Sequence, residues 1–153
     1  MSEISIRSAE FDDPDVQVLV AANLRDLSER YGGTGDDTPI SGKDFTPPAG
    51  AFFVAVLDDK LIGSAGWRRH GSSDAELKRM FTLSAARGRG VARRMLAVIE
   101  ESAREAGCAR VVLETGDKQP EAIALYESAG YVRIPDFGFY QGHEGVLSYA
   151  KAL

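Results

Sequence analysis

The run Ala75-Glu76-Leu77-Lys78-Arg79-Met80-Phe81-Thr82-Leu83-Ser84-Ala85-Ala86-Arg87-Gly88-Arg89-Gly90-Val91-Ala92-Arg93-Arg94-Met95-Leu96 decides how the rest of the chain is read. It describes a strand, a glycine-containing turn and the start of an amphipathic helix. Where a strand bends into a helix, the first backbone N–H groups of the helix have no partner, and the helix dipole adds about half a positive charge. Such a point attracts phosphate. Gly88 and Gly90 allow close approach of the backbone, and Arg87, Arg89, Arg93 and Arg94 add full charges. A tight turn carrying solvated arginines is the plainer reading of the same residues. Two common phosphate loops are excluded by spacing: there is no Gly-x4-Gly-Lys-Ser/Thr, and Gly88-x-Gly90 lacks the third small residue of the dinucleotide pattern.

Upstream of this unit, Ile4 and Ile6 alternate with polar residues over Ser2 to Ser8 and predict a short strand. Asp13-Pro14 is a helix start, after which Val16, Leu19, Val20, Leu24 and Leu27 recur at helical spacing to about Arg30. From Tyr31 to Gly50 turn formers dominate and no period survives, so a long loop is expected, of a length that suits the entry to a substrate site. Ala51 to Leu57 and Leu61 to Trp67, separated by Asp58-Asp59-Lys60, read as an antiparallel hairpin.

Downstream, the helix after Gly88 runs to about Ala106, with Glu100 paired to Arg104 on its outer side and Gly107 closing it. Val111 to Thr115 is a buried strand. Strand, helix and strand from Leu77 to Leu113 require a parallel pair. Pro120 opens a further helix that ends at Gly130, and Tyr131 to Ile134 and Leu147 to Ala150 are the last strands. The expected fold class is α/β: a mixed, mainly antiparallel sheet with a central parallel strand pair and helices on both faces.

The 153 residues, 44% of them hydrophobic, suit one domain spanning residues 1–153. A net charge of −5 argues against a nucleic-acid partner. One cysteine, Cys108, and two distant histidines, His70 and His143, offer neither a disulfide nor a zinc spacing, so no metal is expected. Cys108 reads as a buried small hydrophobe, and the histidines as loop residues facing water. Without an apolar run of membrane or signal-peptide length, a cytoplasmic protein with no membrane partner is expected.

Arg87-x-x-Gly90-x-Ala92 resembles the Gln/Arg-x-x-Gly-x-Gly/Ala signature of the GNAT superfamily of N-acetyltransferases, and Glu76 to Phe81 resembles that family's central strand. A second match, Gln119-Pro-Glu-Ala-Ile-Ala-Leu-Tyr126-Glu-Ser-Ala-Gly-Tyr131, is similar to the family's Asn-x-x-Ala-x-x-Leu-Tyr segment, with Gln119 in place of Asn. The resemblance implies acetyl-CoA as acetyl donor, with its pyrophosphate on Arg87, Gly88, Arg89, Gly90, Val91 and Ala92. It implies a strand bulge near Phe81 whose amides, at Met80, Phe81 and Thr82, meet the acetyl and pantetheine groups, and a cofactor contact at Gln119.

Acetyl transfer from a thioester to an amine needs a proton acceptor for the amine, a donor to the developing oxyanion and a proton for the leaving thiolate. Glu76 is the expected base, acting through water, with Glu114 on the neighbouring strand as the alternative. A salt bridge to Lys78, Arg79 or Arg110 is the competing role for either carboxylate. Tyr126 is the expected acid. The acceptor is expected to be a small amine, amino acid-like or antibiotic-like, with Arg79 or Arg30 available for an acceptor carboxylate. Acetylation of a protein lysine or N-terminus, and a non-catalytic acyl-CoA sensor, are the alternatives. The resemblance is also compatible with a homodimer.

Overall fold

The computed structural model describes residues 3–153; the expected first strand at Ser2–Ser8 therefore lies partly outside the described residues. A seven-stranded sheet forms the centre. Its strands are β1 (Ser5–Ser8), β2 (Gly50–Leu57), β3 (Lys60–His70), β4 (Asp74–Thr82), β5 (Arg110–Gly116), β6 (Val132–Arg133) and β7 (Val146–Ala152), in the spatial order β1-β2-β3-β4-β5-β7-β6. Only β4 and β5 run parallel; the other neighbours are antiparallel. The helices are α1 (Pro14–Tyr31), α2 (Val91–Glu105) and α3 (Pro120–Ser128).

Local chemistry accounts for these elements. Asp13 caps α1 by accepting from the Asp15 N–H at 2.9 Å, and Pro14 occupies the first helical position, where its missing N–H costs nothing. The hairpin turns through Asp58 and Asp59, both with positive φ (51° and 63°), as a two-residue turn matched to strand twist demands. Lys60 is therefore the first residue of β3, and β3 runs on to His70 because Ala75 and Asp74 extend the pairing opposite Arg69 and His70. Gly107, with φ of 86°, ends α2.

Two apolar clusters sit on opposite faces of the sheet. On one, Val91, Met95, Leu96, Ile99 and Ala103 of α2 pack with Trp67, Leu77, Val111, Leu113 and Tyr126. On the other, Val16 and Val20 of α1 meet Phe45, Phe52 and Val54, with the rings of Phe11, Phe45 and Phe52 in tilted and edge-on contact, centroids 5.0–5.3 Å apart. Alternation along β4 produces this split: Ala75 and Leu77 face α2, while Glu76 and Lys78 face the α1 side. Cys108 is buried, as a small hydrophobe should be.

One expected ion pair is replaced. Arg104 bonds Glu101, one turn away, while Glu100 accepts from the Tyr131 hydroxyl at 2.9 Å and from Lys151 Nζ at 3.1 Å. An exposed i,i+4 pair contributes only about 0.3–0.5 kcal/mol, so half-buried tertiary partners win.

Trp67 lies 2% exposed between sheet and α2 and donates its indole N–H to Ser102 Oγ at 2.9 Å. Trp67→Ala is expected to cost about 3–5 kcal/mol through the cavity it leaves, measured as a lowered midpoint in urea denaturation.

Candidate active site

β4 and β5 pair over three positions only, Asp74 with Arg110, Ala75 with Val111 and Glu76 with Val112. Beyond these, β4 stays bonded to β3 and β5 to β7, so the two strands separate and their backbones open a cleft. A cavity of about 510 Å³ fills it, walled by Leu77 to Met80 on β4 and Leu113 to Gly116 on β5. Tyr126 of α3 closes one side. Asn23 and Tyr31 of α1, Asp36 of the loop after α1, and Tyr140 of the loop before β7 close the other. The loop Tyr31–Gly50 thus borders the site.

The wall on β4 is irregular. Ser64 pairs with Phe81 and Gly66 with Lys78, so Arg79 and Met80 together oppose the single residue Ala65. This is a β-bulge, with Arg79 at φ of 57°, a conformation rare for a residue with a side chain. The fully buried Ser64 donates its hydroxyl to the Arg79 carbonyl at 2.8 Å and braces the distortion. A bulge expected near Phe81 is therefore present, one to two residues earlier.

Charge is concentrated at this wall. Asp36 takes the Lys78 ammonium at 3.4 Å and a bond from Arg79 Nη1 on its Oδ2, and the Thr38 N–H, the Thr38 hydroxyl and the Tyr140 hydroxyl on Oδ1. Burial alone lifts the Asp36 carboxyl, but Lys78, the Thr38 donors and Arg79 outweigh it and hold the group well below the usual carboxylate range. Gly35 permits this placement: a Cβ there would stand 2.4 Å from the Leu24 carbonyl oxygen. On β5, burial raises the Glu114 carboxyl, opposed by the Tyr140 N–H that donates to Oε2 at 3.0 Å. Its Oε1 is enclosed without a partner among the described residues. Burial and the bond to Asp36 push the Tyr140 phenol up to about 12, so it stays a donor.

Of the expected site residues, Met80, Gln119 and Tyr126 line the cavity. Tyr126 is 5% exposed; burial raises its phenol, and no residue among those described accepts or donates a hydrogen bond at its hydroxyl. Gln119 Oε1 accepts from the Tyr31 hydroxyl at 3.0 Å. Glu76 is 2% exposed and accepts from Arg68 Nε at 3.0 Å; it does not line the cavity, whereas Glu114 does. Arg68, rather than Lys78, Arg79 or Arg110, is its partner, and Arg110 is bound to Asp74. His143 is exposed at the cavity rim against Tyr140, and His70 packs edge-on to Phe137.

The turn Arg87–Ala92 lies outside the cavity lining and follows the end of β4 from which β5 has parted. Gly88 and Gly90 have φ of 82° and 77°, and a Cβ on either would meet nothing within 4 Å. Gly90 is the N-cap of α2, and among the described residues no side chain caps the first turn. These uncapped amides and the open approach fit a diphosphate. Val91 instead points into the core at 2% exposed. Arg87 donates Nε to the Thr82 carbonyl at 3.1 Å and lies over the Phe81 ring, Arg93 reaches Ser128 and Arg94 reaches the Ile4 carbonyl. Among the described residues no cluster of three His, Cys, Asp or Glu side chains is placed to hold a metal ion, and no helix is long and apolar enough to cross a membrane.

Asp36, Tyr140 and Asn23 escaped the sequence reading. The only signal for them was the length of the loops that carry two of the three.

The cleft between the parallel strands thus has a phenol on its wall, and the strand that forms one side of it leads into a helix whose first turn carries no side-chain cap among the described residues. A family model described as the acetyltransferase (GNAT) family matches residues 19–131. The uncharacterized N-acetyltransferase YjgM of Escherichia coli is 32% identical over 126 residues, covering 75% of each chain. Other curated relatives are longer: the match spans 36% of the N-acetylaspartate synthetase of Homo sapiens and 44% of N-acetyltransferase 8 of Homo sapiens. An acetyltransferase of the GNAT family from Staphylococcus aureus superposes with a TM-score of 0.80 over 99% of both chains at 18% identity. An aminoglycoside 6'-N-acetyltransferase solved with coenzyme A gives 0.72 over 97% of this chain and 96% of that one, also at 18%. The chain belongs to the GNAT family of acetyltransferases and is an acyltransferase; acetyl-CoA-dependent N-acetylation is general to that family.

Asp36 contributes stability that is full above the free carboxyl pKa of about 4 and is lost as pH falls through its depressed folded value. Asp36→Asn is expected to be about 3 kcal/mol less stable at neutral pH, since two cations lose their partner. Below about pH 4 the gap to the wild type should narrow, as read by urea denaturation across a pH series.

Proposed function

We propose that this chain transfers an acetyl group from acetyl-CoA directly to the primary amine of a small, amino acid-like or antibiotic-like molecule in the cytoplasm. Family membership supports the chemistry. The observation that carries the site assignment is Tyr126: it is 5% exposed and lines the cavity, and its hydroxyl has no hydrogen-bond partner among the described residues. A buried phenol keeps its proton at neutral pH and can deliver it to a departing thiolate.

Acetyl-CoA supplies the activated acetyl group as a thioester. Around it, each residue has a separate task. The amides of Val91 and Ala92, with Arg87, Gly88, Arg89 and Gly90, hold the diphosphate; Met80, Phe81 and Thr82 offer main-chain donors beside the bulge; Gln119 borders the carrier arm. In the transfer, the amine nitrogen forms a bond to the carbonyl carbon as the carbon–sulfur bond breaks. The proton lost by nitrogen passes to a carboxylate, and Tyr126 gives one to sulfur.

For that carboxylate the position in the wall favours Glu114, the alternative to Glu76. Its raised pKa suits a base working near neutrality, whereas Glu76 is occupied by Arg68. The loops 32–49 and 134–145 are tied across the cavity by the Tyr140 hydroxyl on Asp36, at 2.7 Å, which supports a small acceptor over a protein lysine.

Coenzyme A thiol release, followed with a panel of amines, tests the reading. Tyr126→Phe is expected to lower kcat about 10²–10⁴-fold, and binding of acetyl-CoA without release for every amine would instead identify a sensor. Glu114→Gln should flatten the acid limb of the rate profile, which the raised pKa shifts to higher pH; a limb flattened by Glu76→Gln and not by Glu114→Gln returns the role to Glu76. Gly90→Asp should weaken acetyl-CoA binding by at least about tenfold, since about 1.4 kcal/mol of repulsion suffices. Unchanged affinity by calorimetry would put the diphosphate elsewhere.

A further inference from the structure

We propose that the acceptor amine carries a carboxylate of its own, as an amino acid does, and that Arg79 grips that carboxylate. The inference rests on the acetyl-transfer reading above and names the substrate class of the same cavity.

Arg79 is an enclosed cation with half of its fork unused. Its side chain is 6% exposed, and among the described residues its one hydrogen bond runs from Nη1 to Asp36 Oδ2. Nε is buried with no partner, and the edge it shares with Nη2 is the one that takes a carboxylate through two parallel bonds. An enclosed charged donor left without an acceptor is unfavourable, so an unpartnered guanidinium nitrogen on a residue that lines the cavity marks a place for a ligand acceptor.

Two independent observations agree with this. The bulge turns Arg79 to a positive φ, and the fully buried Ser64 hydroxyl fixes its carbonyl, so the strand is distorted at a residue that lines the cavity. The charges also leave a remainder: Lys78 and Arg79 share the single carboxylate of Asp36, so this side of the cleft keeps one positive charge. Glu114 stands on β5, the opposite strand, and offers negative charge to an ammonium. The two walls thus match the two ends of a zwitterion. Arg30, the other arginine considered for an acceptor carboxylate, is spent on Asp26, Glu121 and the Lys118 carbonyl and does not line the cavity.

The experiment compares the amino acids, each beside its α-carboxamide and its decarboxylated amine, by thiol release from acetyl-CoA. The preferred amino acid should exceed its carboxamide by about ten- to a hundredfold in kcat/KM, mostly in KM. Arg79→Lys, which keeps the charge and loses the fork, should bring that ratio toward one. As a readout without turnover, calorimetry on the wild-type protein with coenzyme A should show the N-acetyl amino acid binding more tightly than its carboxamide. Carboxamides or decarboxylated amines used as well as the amino acids would overturn this inference and leave acetyl transfer standing. Release with no amine of any kind, and no difference in product binding, would overturn both.

Discussion

The parting of β4 and β5 is the constraint on which the rest depends. Backbone groups in a sheet must be paired or reach water, and these two strands pair for only three residues before each continues with its other neighbour alone. The polar edges so exposed form the walls of the cavity. Each wall can separate because it is anchored from outside, β4 by β3 and β5 by the full length of β7. The apolar layers under α2 and α1 hold the two halves at that separation.

Strain and buried charge gather at the same place. Arg79 occupies a left-handed conformation, Lys78 and Arg79 are nearly enclosed, and Asp36 comes from a distant loop to neutralise them. None of these features favours stability by itself: a positive φ costs about 1–3 kcal/mol, and desolvating charges costs several more. Surrounding packing over-determines them. A protein that carries such features beside a cavity spends stability on the geometry of a site, and four of the buried polar atoms without partners, on Asn23, Arg79, Glu114 and Thr115, belong to residues lining that one cavity.

Tyr140 links the two halves of the acceptor side. Its N–H holds Glu114 and its hydroxyl holds Asp36, so one residue of a loop that has no regular structure orients carboxylates on β5 and after α1. Gly138 admits Glu114 into that loop, since a Cβ there would stand 2.6 Å from Oε1. The position of this loop therefore sets where the negative charge in the cavity lies.

The sequence by itself determined what depends on near neighbours along the chain. Helical spacing after Gly90, the Asp13-Pro14 start, the strand-helix-strand unit around residues 77–113 and the motif positions of Gly88, Gly90, Gln119 and Tyr126 were all legible, because capping, periodicity and turn chemistry act within a few residues. The tertiary structure alone decided which charges meet. Arg68 took Glu76 across a strand pair, Lys151 and Tyr131 took Glu100 from Arg104, and Asp36 reached Lys78 over a loop of turn formers with no pattern to mark it. Ion pairs between distant segments are set by how layers pack, and a linear pattern of residues carries no record of that distance.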